Sequence, residues 1–151
     1  MPCFLMLETF TKVIRKQSYL LCEWNCECFI LHIFLGTVWY SEFKYEPMVE
    51  FGNYLNYTAM GLGNHDFDDS IAGMKPFAEQ TNFDLLAANI ENHVSDNSFV
   101  EGTHYNKSTV KMVKGRKIGI IGYITRSTEY NFPGGRLVFL DEIESVREEA
   151  K

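Results

Sequence analysis

Residues 61–69 read Gly-Leu-Gly-Asn-His-Asp-Phe-Asp-Asp. An amide, an imidazole and three carboxylates are packed behind two glycines. Asn64 offers a neutral side-chain oxygen that suits a hard or borderline divalent metal. His65 can donate a hydrogen bond to a phosphoryl oxygen as charge builds there, or protonate a leaving oxygen. Asp68 stands three residues beyond His65, close enough in a tight turn to accept from its other ring nitrogen and fix the tautomer. Asp66 and Asp69 are expected to cap the following helix or to face solvent. Gly61 and Gly63 let the backbone bend and leave room above the preceding segment. The competing reading is a polar helix-capping loop with a satisfied surface imidazole, and spacing alone favours that reading.

The segments around the turn place it at a strand end. Residues 57–62, YTAMGL, form a short apolar run ending at Gly63, which predicts a buried strand. Residues 37–56 predict a helix, with Pro47 near its start and Met48, Phe51, Tyr54 and Leu55 at helical spacing. Residues 70–80 predict a short helix capped by Ser70 or Asp69 and interrupted at Pro76. FDLLAANI, residues 83–90, predicts a second buried strand, and 91–107 read as a polar loop. Residues 108–124 predict a hairpin turning at Lys114-Gly115, followed by a strand from Ile118 to Ile124. Residues 131–136 read as loop. Residues 137–151 predict a strand and then an amphipathic helix, with Ile143, Val146 and Ala150 on its apolar side. This order gives the α/β class, a mixed layered sheet whose chemistry collects on loops at the carboxyl ends of strands.

Other features have plainer readings. IGIIGY is not a G-x-G-x-x-G and reads as a closely packed strand. His93 and His104 are expected to be solvated loop histidines. Trp39, Tyr40 and Phe43 are expected in a helix core. Asn89 is expected to satisfy backbone groups at its strand end.

The chain has 151 residues, of which 46% are apolar and 15% aromatic, enough for a domain with a core. Its net charge of −6, without a basic stripe, argues against nucleic acid as a partner. All four cysteines, Cys3, Cys22, Cys26 and Cys28, fall in the first 28 residues, so the body of the chain is not a disulfide scaffold. Cys22, Cys26, Cys28 and His32 do not share one helix face, and they read as buried or incidental thiols rather than a zinc module. Residues 1–35 differ in composition from 36–151, which suggests a boundary at Gly36. The start lacks the basic stretch of a signal peptide, and the run from Tyr19 to Gly36 is broken by Glu23 and Glu27. Two Asn-x-Ser/Thr triplets, at Asn56 and Asn106, matter only if the chain is exported.

GTVWYSEFKYEPMVEFGNYLNYTAMGLGNHDFDD, with FDLLAANI and KIGIIGYITRSTEYNFPGGRLVFLDEIESVREEAK in the same order, resembles the 5′-nucleotidase and apyrase family of calcineurin-like metallophosphoesterases. The likeness covers residues 36–151, as part of the N-terminal catalytic domain. It implies a partial α/β/β/α sandwich holding two divalent metals, commonly zinc. It implies attack on phosphorus by a metal-activated hydroxide, with Asn64 as a metal ligand, His65 on the phosphoryl group and Asp68 orienting His65. The implied substrates are AMP, or ADP and ATP, and the implied location is extracellular or at the cell surface. Membrane association is expected only through a C-terminal region outside these residues.

The family's upstream Asp-x-His block, its Gly-Asp before GTVWY and its two downstream histidine blocks do not occur here. One amide oxygen does not hold a dinuclear centre. The expectation is therefore a truncated chain, inactive in isolation, with sheet edges left bare where upstream strands are missing. The alternative expectation is a non-catalytic remnant that pairs, as a dimer or with an intact relative, through such an edge.

Overall fold

A computed structural model describes the backbone of residues 3–7, 28–29, 38–92, 105–131 and 137–151. The apolar run before the glycine turn is strand β3, Ala59–Gly61, and every residue in it is buried. Strand β4 is Asp84–Leu86 and β6 is Tyr105–Asn106; β2, Cys28–Phe29, lies on the other side of β3. These form a four-stranded parallel sheet in the order β2-β3-β4-β6. Burial on both faces is what an all-parallel sheet requires, and it accounts for the apolar reading of β3 and of Leu85 and Leu86 in β4.

A second sheet holds β1 (Cys3–Leu7), β7 (Ser108–Val113) and β8 (Arg116–Gly122), in the order β1-β8-β7. β7 and β8 are the expected hairpin. Lys114 and Gly115 take φ of 49° and 78°, and Val113 faces Arg116. Two successive left-handed residues are the mark of the tight turn that suits a twisted hairpin. β5, Ile90–Asn92, pairs antiparallel with β9, Leu137–Phe139.

The helices cover the sheets. α1 (Val38–Phe43) and α2 (Glu46–Tyr54) replace the single expected helix, because Lys44 turns left-handed at φ 53°. α3 is Ser70–Gln80, α4 is Thr128–Asn131 and α5 is Glu142–Glu149. Met48 of α2 and Met74 and Phe77 of α3 share one core with Met60, Leu62, Leu85 and Phe139. Val146 of α5 packs with Ile121 and Ala88 in a smaller one. Helices thus sit against the parallel sheet on one side and against β8 on the other, the layering of an α/β/β/α sandwich.

Several expectations change. α3 is not interrupted at Pro76; the helix runs through it to Gln80. Proline removes one main-chain hydrogen bond there, but Phe77 and Ala78 are fully buried just beyond it, so packing overrides the local penalty. The spacing Phe51, Tyr54, Leu55 marks the outer side of α2; these residues are exposed, and Met48 and Gly52 face the core. Gly52 lies against the Phe83 ring, where a Cβ would come within 2.6 Å. Phe43 and Ile143 are also exposed. FDLLAANI holds a strand only over Asp84–Leu86; the chain then turns into β5. Tyr105 and Asn106 are strand rather than loop.

The edges of β8 and β3 are not bare. β1 pairs in parallel with β8, from Cys3 opposite Ile118 to Leu7 opposite Gly122, and β2 pairs with β3. The segment before Gly36 therefore supplies a strand to two of the three sheets. The readings placed on His32, His93 and His104, and on Cys22 and Cys26, lie outside the described residues, as do those on the side chains of Cys3, Cys28, Trp39 and Tyr40.

Candidate active-site turn

The turn is built at the carboxyl end of β3. Leu62 N–H donates to the Leu86 carbonyl at 3.1 Å, which carries the pairing one residue past the strand. Three short turns follow in series: Asp66 N–H to Gly63 O at 3.1 Å, Asp68 N–H to His65 O at 3.2 Å, and Ser70 N–H to Phe67 O at 2.8 Å. Phe67, 1% exposed, drives into the core and meets Phe139 edge-on, with ring centroids 5.9 Å apart. This anchor is what the sequence reading missed. Its only signal is a single aromatic inside an otherwise polar run.

With Phe67 pointing in, His65 and Asp68 point out. His65 Nδ1 lies 3.1 Å and 3.3 Å from the two carboxylate oxygens of Asp68. The turn therefore brings His65 and Asp68 together as expected. An Nδ1–H donating to Asp68 holds the ring in one tautomer and one orientation. Asn64, next to this pair, is half-buried. Among the described residues its side-chain amide makes no hydrogen bond.

Of the other two carboxylates, Asp69 faces solvent, 47% exposed, as one of its two expected roles had it, and Asp66 does different work. The Asp66 carboxylate accepts from Gly63 N–H at 2.8 Å and closes the turn on itself. The residue keeps some surface, but its carboxyl group sits inside, and desolvation pushes it up to about 7 against the opposing pull of the Gly63 amide and His65. Asp69 occupies the position before α3 without capping it, and instead pairs with Lys44 Nζ at 3.3 Å. Ser70, at φ 66°, accepts from Ala72 N–H at 3.3 Å. A cavity of about 380 Å³ lies behind the turn, lined by Lys44, Tyr45, Asp66, Asp69, Met74 and Phe77; neither Asn64 nor His65 borders it.

Asn89 secures the neighbouring strand ends. It is fully buried, and its amide donates to the carbonyls of Ile124 and Leu140 at 2.7 Å and 3.0 Å. Its side-chain oxygen accepts from Ile124 N–H at 2.9 Å. The backbone-satisfying role expected of it is the one it has, across three segments rather than one loop.

Among the described residues, no three of His, Cys, Asp and Glu come together to hold a metal ion. A divalent ion needs several oxygen or nitrogen ligands, preferably anionic. Asn64 supplies one neutral ligand, so the described residues do not by themselves fit a two-metal centre.

Comparison with known proteins gives relatives of one kind. An apyrase of Tabanus yao is 43% identical over 116 residues, which are 77% of this chain and 20% of that protein. A snake venom 5′-nucleotidase of Gloydius brevicauda is 41% identical over 117 residues, 76% of this chain and 20% of that protein. The crystal structure of a 5′-nucleotidase precursor from Thermus thermophilus superposes with a TM-score of 0.69 at 30% identity, over 78% of this chain and 23% of that one. The chain spans about a fifth of the length of the curated relatives it matches. No family model matches it.

Proposed function

Because about three quarters of this chain belongs with the 5′-nucleotidases and apyrases of the calcineurin-like phosphoesterase fold, we propose that it carries part of a metal-dependent nucleotide phosphohydrolase site. The observation that supports this is the His65–Asp68 contact at a strand end, next to Asn64, whose amide makes no hydrogen bond among the described residues. In this reading His65 binds the phosphoryl group of a nucleotide and supplies a hydrogen bond as charge grows on its oxygens. Asp68 holds the His65 ring so that its other nitrogen faces the substrate. Asn64 is one ligand of a divalent-metal site, zinc in the first instance, and the remaining ligands come from residues other than those described. The substrates are AMP, or ADP and ATP, met outside the cell or at its surface.

Among the described residues one amide does not make a dinuclear centre, and in this reading the isolated 151-residue polypeptide is expected to be inactive. Phosphate release from AMP with added zinc tests this. Turnover that vanishes with His65→Ala would refute the inactivity. In a longer polypeptide that joins this segment to a complete ligand set, His65→Ala should lower turnover by about 10²–10⁴-fold. Unchanged turnover there would remove His65 from the chemistry.

A second reading is favoured by β7. It ends the three-stranded sheet, and Val110 and Met112 on it are 64% and 63% exposed. An edge of this kind pairs with another chain, so a non-catalytic subunit that adds to a second copy or to an intact relative is consistent with it. A purely monomeric species in sedimentation, with no effect on a co-expressed relative, would count against this role.

A further inference from the structure

α2 ends in a turn that carries more than its backbone needs. Asn56 N–H donates to Asn53 O at 3.1 Å, and Tyr57 N–H reaches back to Gly52 O at 3.2 Å. This is the crossed pattern of a helix terminated by a left-handed residue, and Asn56 supplies that residue at φ 54°. Asparagine is the usual substitute for glycine in such a place, so its identity has a backbone reason. The neighbours have none of that kind. Tyr54, two residues before, is 84% exposed, and Phe51 and Leu55 are 61% and 46% exposed around the same helix end. Thr58, two residues after, completes an Asn-x-Thr triplet. The Asn56 side chain is exposed and makes no hydrogen bond among the described residues. An aromatic at −2, an asparagine and a threonine at +2 are the parts of an acceptor for N-linked sugar. The aromatic offers a flat face for the apolar side of the first sugar ring.

The second triplet is placed differently. Asn106 lies in β6, where its carbonyl accepts from Ala87 N–H at 3.1 Å. The Ser108 hydroxyl of that triplet donates to Glu149 at 2.5 Å. No aromatic lies two residues before Asn106, where the chain has His104.

We infer that Asn56 is the N-glycan acceptor of this chain and that Tyr54 is the platform for the first sugar. The inference rests on the extracellular location proposed above. The donor is a lipid-diphosphate-linked oligosaccharide. The Asn56 Nδ2 forms a bond to the anomeric carbon as the bond from that carbon to the diphosphate oxygen breaks. Nδ2 loses one proton, and the lipid diphosphate leaves with the electron pair. The sugar then covers apolar surface that is otherwise open to water.

The full chain is placed behind a cleavable leader and translocated into microsomes, so delivery is imposed and only the acceptor is tested. The protease-protected fraction is digested before and after treatment with an amidase that converts glycosylated Asn to Asp. Expected is a glycan at residue 56, absent in Asn56→Gln and in Thr58→Ala and kept in Asn106→Gln. Sugar transfer is read whether or not a variant folds. A protected chain without sugar at residue 56, or with sugar only at residue 106, overturns the assignment. For the platform, removing the glycan should lower the Tm of the wild type by about 2–4 °C. The same removal from Tyr54→Ala should lower it less, and an equal drop in both overturns that part.

Discussion

His65 Nδ1 sits 3.1 Å from the Asp68 carboxylate, three residues along the same turn. The two side chains are 43% and 33% exposed, so the contact adds little to stability and much to orientation. Asp68→Asn should therefore cost less than about 1 kcal/mol in denaturant unfolding. It should also change the tautomer populations of His65, read from the ring nitrogen shifts in NMR spectra. An unchanged tautomer balance would show that Asp68 does not set the ring.

Asn89 makes three hydrogen bonds to main-chain groups, the two to Ile124 buried and the one to Leu140 part-buried. Asn89→Ala strands those groups without partners. The expected loss is about 2–4 kcal/mol, since each unsatisfied buried group costs about 1–3 kcal/mol. A loss below about 0.5 kcal/mol would mean that water replaces the amide.

Gly122 ends β8 where a Cβ would come within 2.3 Å of the Leu86 carbonyl oxygen, and its own carbonyl accepts from Ala88 N–H at 2.8 Å. A methyl group there meets backbone, which cannot rotate away. Gly122→Ala should destabilise by about 1–3 kcal/mol, measured by thermal unfolding. The Gly115 position is the control. Its φ of 78° strains a side chain, but nothing lies within 4 Å of a Cβ there, so Gly115→Asn should be well tolerated.

Tyr105 links β6 to the segment after β4, its hydroxyl donating to Ala87 O at 2.6 Å and Ile90 O at 3.2 Å. Burial first, then the charges of Glu149 and Glu91, push this phenol above its ordinary value of 10.0. The folded chain thus holds a proton that the unfolded chain releases at high pH. Stability from this group is complete below pH about 10 and falls as the pH rises beyond it. The slope of unfolding free energy against pH above 10 should flatten in Tyr105→Phe; an identical slope would assign the alkaline loss to other groups.

The strand β3, the hairpin at Lys114-Gly115 and the His65–Asp68 pairing were all legible in the residues. Each depends on contacts within a few positions of the chain or on a turn with one good solution. What was not legible depends on partners far away in sequence. The exposed stripe of Phe51, Tyr54 and Leu55 has the right period and the wrong side, because Gly52 packs against Phe83, 31 positions on. Pro76 stays helical because the core behind it decides. Phe67 has no local signature, since its partner Phe139 comes from β9. The edge-covering strands before Gly36 could not be read from a segment without alternation.

The Asp66 carboxylate latches the turn from within, and the Phe67 ring bolts it to the core. A loop secured in that way needs no incoming ion or ester to shape it. Whatever docks beside Asn64 and His65 meets a surface whose chain entropy was surrendered during folding, and its affinity goes into contact rather than into ordering the host.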